Sequence, residues 1–127
     1  MSLTVRTVGA ARILQMTGEF TLGDGLVKPL DLRGRRIEDL SLALRTLVAQ
    51  APRVILLDMA GVTFLDSAAL GELIAMKKRA VAAGSDIALL HPVGKVRAMI
   101  EMVSLDKVFR MFDDETAALA AFGVREV

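Results

Sequence analysis

The sequence predicts an α/β domain with a mixed, mostly parallel sheet, an antiparallel N-terminal edge and about four packing helices. Three observations carry the prediction. Two short alternating segments meet at Gly9-Ala10, as in a hairpin. Two nearly continuous apolar runs, Arg53 to Met59 and Asp86 to Leu90, read as strands covered on both faces. Between and after them, apolar residues recur at helical spacing, and strands reached through helical crossovers lie parallel.

Taken in order, Leu3 to Val8 alternates apolar and polar residues, and Ala11 to Met16 does so less strictly. From Leu22 to Arg35 the pattern dissolves around Gly23, Gly25, Pro29 and Gly34, which predicts a loop or a loop holding one helical turn. Ile37, Leu40, Leu44, Leu47 and Val48 predict a first helix from about Ile37 to Gln50, stopped by Pro52. The strand from Arg53 to Met59 is expected to end in a short loop. A second helix then opens at Ser67, carries Leu70, Leu73, Ile74 and Val81 on one face, and ends at Gly84. Lys77 falls within that face, so its stem should be buried and its ammonium should reach outward. After the strand at Asp86 to Leu90, His91 to Gly94 reads as a turn, with His91 a turn residue. Val96, Met99, Ile100 and Val103 face the core from a third helix. Val108 to Phe112 is a last short strand. Asp113, Asp114 and Glu115 suit the first turn of a terminal helix burying Ala118, Leu119 and Phe122. Met99, Met102 and Met111 sit at spacings that favour core over an adaptable docking surface.

Composition narrows the function classes. The 127 residues fit one domain, and 16 basic against 15 acidic residues leave no electrostatic footprint for nucleic acid. No cysteine and one histidine, His91, argue against disulfides, thiolate chemistry and multi-histidine metal sites. Hydrophobic residues make up 54% of the chain, yet no apolar run approaches the roughly 18–20 residues that span a bilayer. No signal-peptide pattern opens the sequence either, so a cytoplasmic protein without membrane insertion is expected. The apolar excess signals a large core or a surface kept for a partner, and leaves homo-oligomerisation open.

The candidate site is Ser67, delivered with Asp66 to the start of the second helix. Serine there commonly caps a helix, contributing about 1 kcal/mol. A nucleophilic role lacks support. A nucleophile needs a base held by an orienting acid, yet the only histidine lies after the next strand and the surroundings are not a G-x-S-x-G elbow, so no catalytic residue, cofactor or metal is expected. A third reading makes Ser67 the acceptor of a phosphoryl group. That group would add about −1.5 to −2 charges beside the positive end of a helix dipole, with Asp66 opposing it. Gly23-Asp24-Gly25 lacks the spacing and lysine of a phosphate-binding loop. Arg33, Arg35 and Arg36 read as a solvated basic cluster, with an acidic partner or phosphate as the alternative.

The segment from Val62 to Gly71, VTFLDSAALG, resembles the phosphorylation-site motif of STAS domains in bacterial anti-sigma-factor antagonists. Ser67 matches the phosphoacceptor, Asp66 the acid before it, and Leu70 and Gly71 the helix start. Ala83 to Leu90, Val96 to Phe109 and Thr17 to Phe20 are similar to further stretches of the family, so the resemblance covers residues 1–127 as a single STAS-like domain. It departs at Thr21, where the family often has aspartate and Asp24 stands nearby as a substitute. Ala69 and Ser104 stand where glycine is common, and the Leu22–Arg36 connection is longer than usual.

The resemblance implies a non-enzymatic switch. The unmodified domain binds an anti-sigma factor that is also a serine kinase, phosphorylation of Ser67 releases it, and a serine phosphatase resets it. Asp66, Thr63, Ala68, Leu70, Gly71, Thr21 and Asp24 would form the partner surface. STAS domains also occur as constitutive subunits of lipid-transport or stress-signalling complexes, which is the alternative.

Overall fold

The computed structural model describes residues 2–20 and 35–125. Strands β1 (Ser2–Val8) and β2 (Ala11–Phe20) lead to helix α1 (Arg35–Ala49), β3 (Val54–Leu65), α2 (Ser67–Ala82) and β4 (Ile87–Leu90). Helix α3 (Gly94–Met102), a 3-10 turn (Leu105–Lys107), β5 (Met111–Phe112) and α4 (Glu115–Ala121) complete the order. The sheet runs in the order β1-β2-β3-β4-β5. Pairing is antiparallel between β1 and β2 and parallel elsewhere, the mixed sheet with an antiparallel N-terminal edge that the sequence predicts. Residues 21–34, including Thr21, Asp24 and Arg33, lie outside the described residues. Of the expected Leu22–Arg36 connection, only Arg35 and Arg36 are described, in the first turn of α1.

Alternate residues of the strands feed two cores. Leu14, Met16, Ile55, Leu57, Met59, Ile87 and Leu89 meet Leu40, Leu44, Leu73, Met76, Val96 and Ile100 from α1, α2 and α3 on one face. Ile13, Val54, Leu56, Ala88 and Leu90 meet Ala118 and Leu119 of α4 on the other. The central strands are apolar on both sides because both sides are covered, which is why their sequences run apolar rather than alternate. Three crossovers of one hand, each stepping to the next strand in the same direction, deposit their helices on a single face.

The structure corrects several boundaries. Strand β3 does not stop at Met59 but continues to Leu65, and β2 continues to Phe20. Pairing passes from Gln15–Asp58 to Thr17–Gly61 and from Gly18–Val62 to Glu19–Phe64, so β3 carries an extra residue at each step. These irregularities reset the alternation, leaving Met59, Val62 and Leu65 inward-facing. Gly61 permits the first of them, since a Cβ there would lie 2.7 Å from Cγ2 of Thr17. The last strand is only Met111–Phe112, with Val108 left outside it and exposed. Val81, Met102 and Val103, expected in the core, are exposed because they fall beyond or off the buried stripes of α2 and α3. Lys77 has the covered stem the sequence predicts, but its ammonium does not reach out freely: it donates to the Asp86 carboxylate, 5.8 Å from the centre of the Phe109 ring.

Candidate functional site

Beyond Asp58, β3 pairs with β2 but no longer with β4, so its last residues extend past the centre of the sheet. Helix α2 begins at the tip of this extension, after a single intervening residue. That residue, Asp66, is tied through its N–H, its carbonyl and its carboxylate. Its N–H donates to the Phe20 carbonyl at 3.2 Å, its carbonyl accepts from Leu70 N–H at 3.0 Å, and its carboxylate accepts from Ala69 N–H at 2.8 Å. Asp66 is therefore the N-cap, extended at φ −87° and ψ 174°, and Ser67 is the first residue of the helix proper. This replaces the expectation of a loop capped by Ser67. Aspartate is as good a cap as serine, and its carboxylate already satisfies the Ala69 N–H that a capping serine would have to reach.

Ser67 is exposed, and no side-chain hydrogen bond engages its hydroxyl among the described residues. Its neighbours divide by role. Thr63 is exposed on β3, Ala68 is half-buried, and Gly71 is exposed on the second turn of α2. Leu70 is packed into the core and fixes the helix rather than facing outward. A Cβ built on Gly71 meets no atom within 4 Å, so nothing among the described residues requires glycine there. Phe64, 40% exposed beside Thr63, was missed from the sequence because it was assigned to a loop leading into the helix. The backbone clamp from Phe20 also left no sequence signal, whereas the Asp66 cap did: aspartate three residues before a helical N–H is a standard start.

Among the described residues, no group of three or more His, Asp or Glu side chains could hold a metal ion. No helix among them is long and apolar enough to cross a membrane. A resolved electrostatic effect lies away from Ser67. Arg6 on β1 donates to both carboxylate oxygens of Glu115, at 3.1 and 2.6 Å. This bond holds the Glu115 carboxyl below its ordinary range, against the opposing effect of partial burial.

A family model described as "Mlab, STAS domain" matches residues 31–113. The chain belongs to the STAS-domain family. No curated protein matches it in sequence. Among solved structures, an anti-sigma factor antagonist from Mycobacterium paratuberculosis is 21% identical at TM-score 0.75, covering 95% of this chain and 92% of that one. The unphosphorylated form of the anti-sigma factor antagonist SpoIIAA is 18% identical at TM-score 0.72, covering 98% and 99%. A sulfate transporter family protein from Wolinella succinogenes is 17% identical at TM-score 0.68, covering 92% and 88%. At these identities the likeness is one of fold. STAS domains are generally non-enzymatic protein-interaction domains.

Proposed function

We propose that this STAS domain is a protein-binding switch controlled by phosphorylation of Ser67. The observation that carries the reading is an exposed serine hydroxyl, unengaged by capping, on a helix start clamped by Asp66. Support also comes from fold relatives: SpoIIAA, an anti-sigma factor antagonist, has been solved in both an unphosphorylated and a phosphorylated form.

On this reading an anti-sigma serine kinase docks on Thr63, Asp66, Ala68 and Gly71 around the unmodified serine. Thr21 and Asp24 would belong to the same surface. The kinase transfers the γ-phosphoryl of ATP to Ser67 Oγ, which loses its proton as ADP departs. The ester adds about −1.5 to −2 charges at the centre of the contact, where like-charge juxtaposition and desolvation cost several kcal/mol. The complex separates, and a serine phosphatase restores the hydroxyl by hydrolysis. The domain is the substrate of this chemistry and supplies no catalytic group or cofactor. Its setting is the cytoplasm.

The alternative reading is a constitutive STAS interaction subunit of a lipid-transport or stress-signalling complex using the same surface. Incubation with ATP and the cognate kinase, followed by mass spectrometric mapping, separates the two. The switch predicts phosphate on Ser67 and at least about tenfold weaker kinase binding by Ser67→Asp, equivalent to 1.4 kcal/mol. Phosphate on another residue, or unchanged binding by Ser67→Asp, refutes the switch. Stoichiometric co-purification with a membrane ATPase supports the subunit reading.

A further inference from the structure

We infer that the outer edge of β1 is a pairing surface for a second copy of this chain, joining two sheets antiparallel about Val5. Among the described residues, strand β1 ends the sheet, with β2 as its neighbour, and it runs seven residues without a proline or lysine. Those are devices by which edge strands usually resist pairing, as are bulges, and the β1–β2 register is unbroken from Ser2–Thr17 to Val8–Ala11.

The hairpin fixes which backbone groups face outward. Gly9, at φ 57°, opens a two-residue turn closed by the Val8–Ala11 pair. The pair that closes such a turn exchanges hydrogen bonds, and bonding then alternates along the ladder. Ser2, Thr4, Arg6 and Val8 therefore spend their N–H and C=O groups on β2. Leu3, Val5 and Thr7 direct theirs to the open edge.

A second copy meets those groups in register. Antiparallel pairing about Val5 sets Val5 against the partner's Val5 and Leu3 against the partner's Thr7, with each pair exchanging two hydrogen bonds. All three side chains share one sheet face, where Val5 is 47% exposed and Leu3 packs against the core. On the other face Arg6 falls opposite the partner's Thr4, so no like charges oppose one another. Arg6 is, moreover, already paired with Glu115 of its own chain. A net charge of +1 per copy adds little long-range repulsion. Seven residues give about 24 Å of paired strand, an interface at or below the small end of specific complexes, so the dimer should be weak and concentration-dependent. The edge lies two strands from β3, which leaves both copies of Ser67 accessible and makes the inference independent of the switch.

Sedimentation velocity on the full chain, from about 10 µM to about 1 mM, tests it in the range expected of a small interface. Wild type should move progressively from monomer to dimer. Val5→Pro removes only an outward N–H, and Val5→Lys adds an edge charge without touching the backbone. Both variants should stay monomeric across the range with wild-type circular dichroism, and if Val5→Pro unfolds, Val5→Lys alone decides. A wild type that remains monomeric at the highest concentration, or a dimer that persists equally in Val5→Lys, overturns the inference.

Discussion

Replacing Gly71 by alanine separates what the domain needs for folding from what its surface offers a partner. Gly71 lies inside α2, in ordinary helical conformation, and a Cβ added there meets no atom within 4 Å. Among the described residues, no clash opposes the substitution and no new packing rewards it. The remaining effect is intrinsic: glycine in a helix interior is about 0.5–1 kcal/mol less favourable than alanine, chiefly through unfolded-state entropy. Gly71→Ala should therefore stabilise the domain by that amount, raising the melting temperature by about 2–5 °C for a domain of this size. Urea unfolding should show a higher midpoint at unchanged slope. The same methyl group would intrude on a partner seated over the first two turns of α2, so phosphorylation of Ser67 by the cognate kinase should slow. An unchanged or lower urea midpoint would refute the claim that the fold has no use for this glycine. A stabilised variant phosphorylated at the wild-type rate would remove Gly71 from the partner surface.

Two further outcomes are expected. Asp66→Ala should cost about 1 kcal/mol in urea unfolding through loss of the cap on Ala69, whereas Asp66→Asn, which still offers an acceptor, should cost less. Acid should weaken the Arg6–Glu115 tie: the folded carboxyl titrates below the ordinary glutamate range, so the contribution is present above that range and lost as pH falls through the lower folded pKa. Arg6→Gln should flatten this part of the urea midpoint–pH curve, by no more than about 1 kcal/mol because the pair is partly exposed.

The alternation of strands with helices, the antiparallel edge and the four helices were legible because each depends on a local signal: a turn glycine, a buried apolar run, or a helical stripe. The last six residues of β3 were not legible. Ala60-Gly61 reads as a strand ending, and the bulges replace the period of two with a spacing of three at Met59, Val62 and Leu65. That spacing follows from pairing with β2, a long-range fact no window of sequence contains. The 3-10 turn at Leu105–Lys107 was hidden for a related reason. Ser104 enters it in the left-handed region at φ 61°, a conformation serine seldom adopts, and the apolar Val108 then falls outside the strand it seemed to begin. At the candidate site, the residues were readable and the division of labour between them was not. Asp66 and Ser67 are both good caps, and only the backbone position decides which one performs the role.

That division bears on how a phosphate at Ser67 would act. With the Ala69 N–H occupied by Asp66, the Ser67 and Ala68 amides remain at the helix start to face an anion, and the helix dipole favours negative charge there. The Asp66 carboxylate, one residue away, opposes it. Swinging the Asp66 carboxylate aside would give up its bond from the Ala69 N–H, while its backbone stays tied to Phe20 and Leu70. The added charge would therefore be held at the surface, partly offset by the helix and displaced by neither it nor the cap. A switch built this way needs no refolding of the domain. It alters the charge that a partner meets on an otherwise unchanged mount.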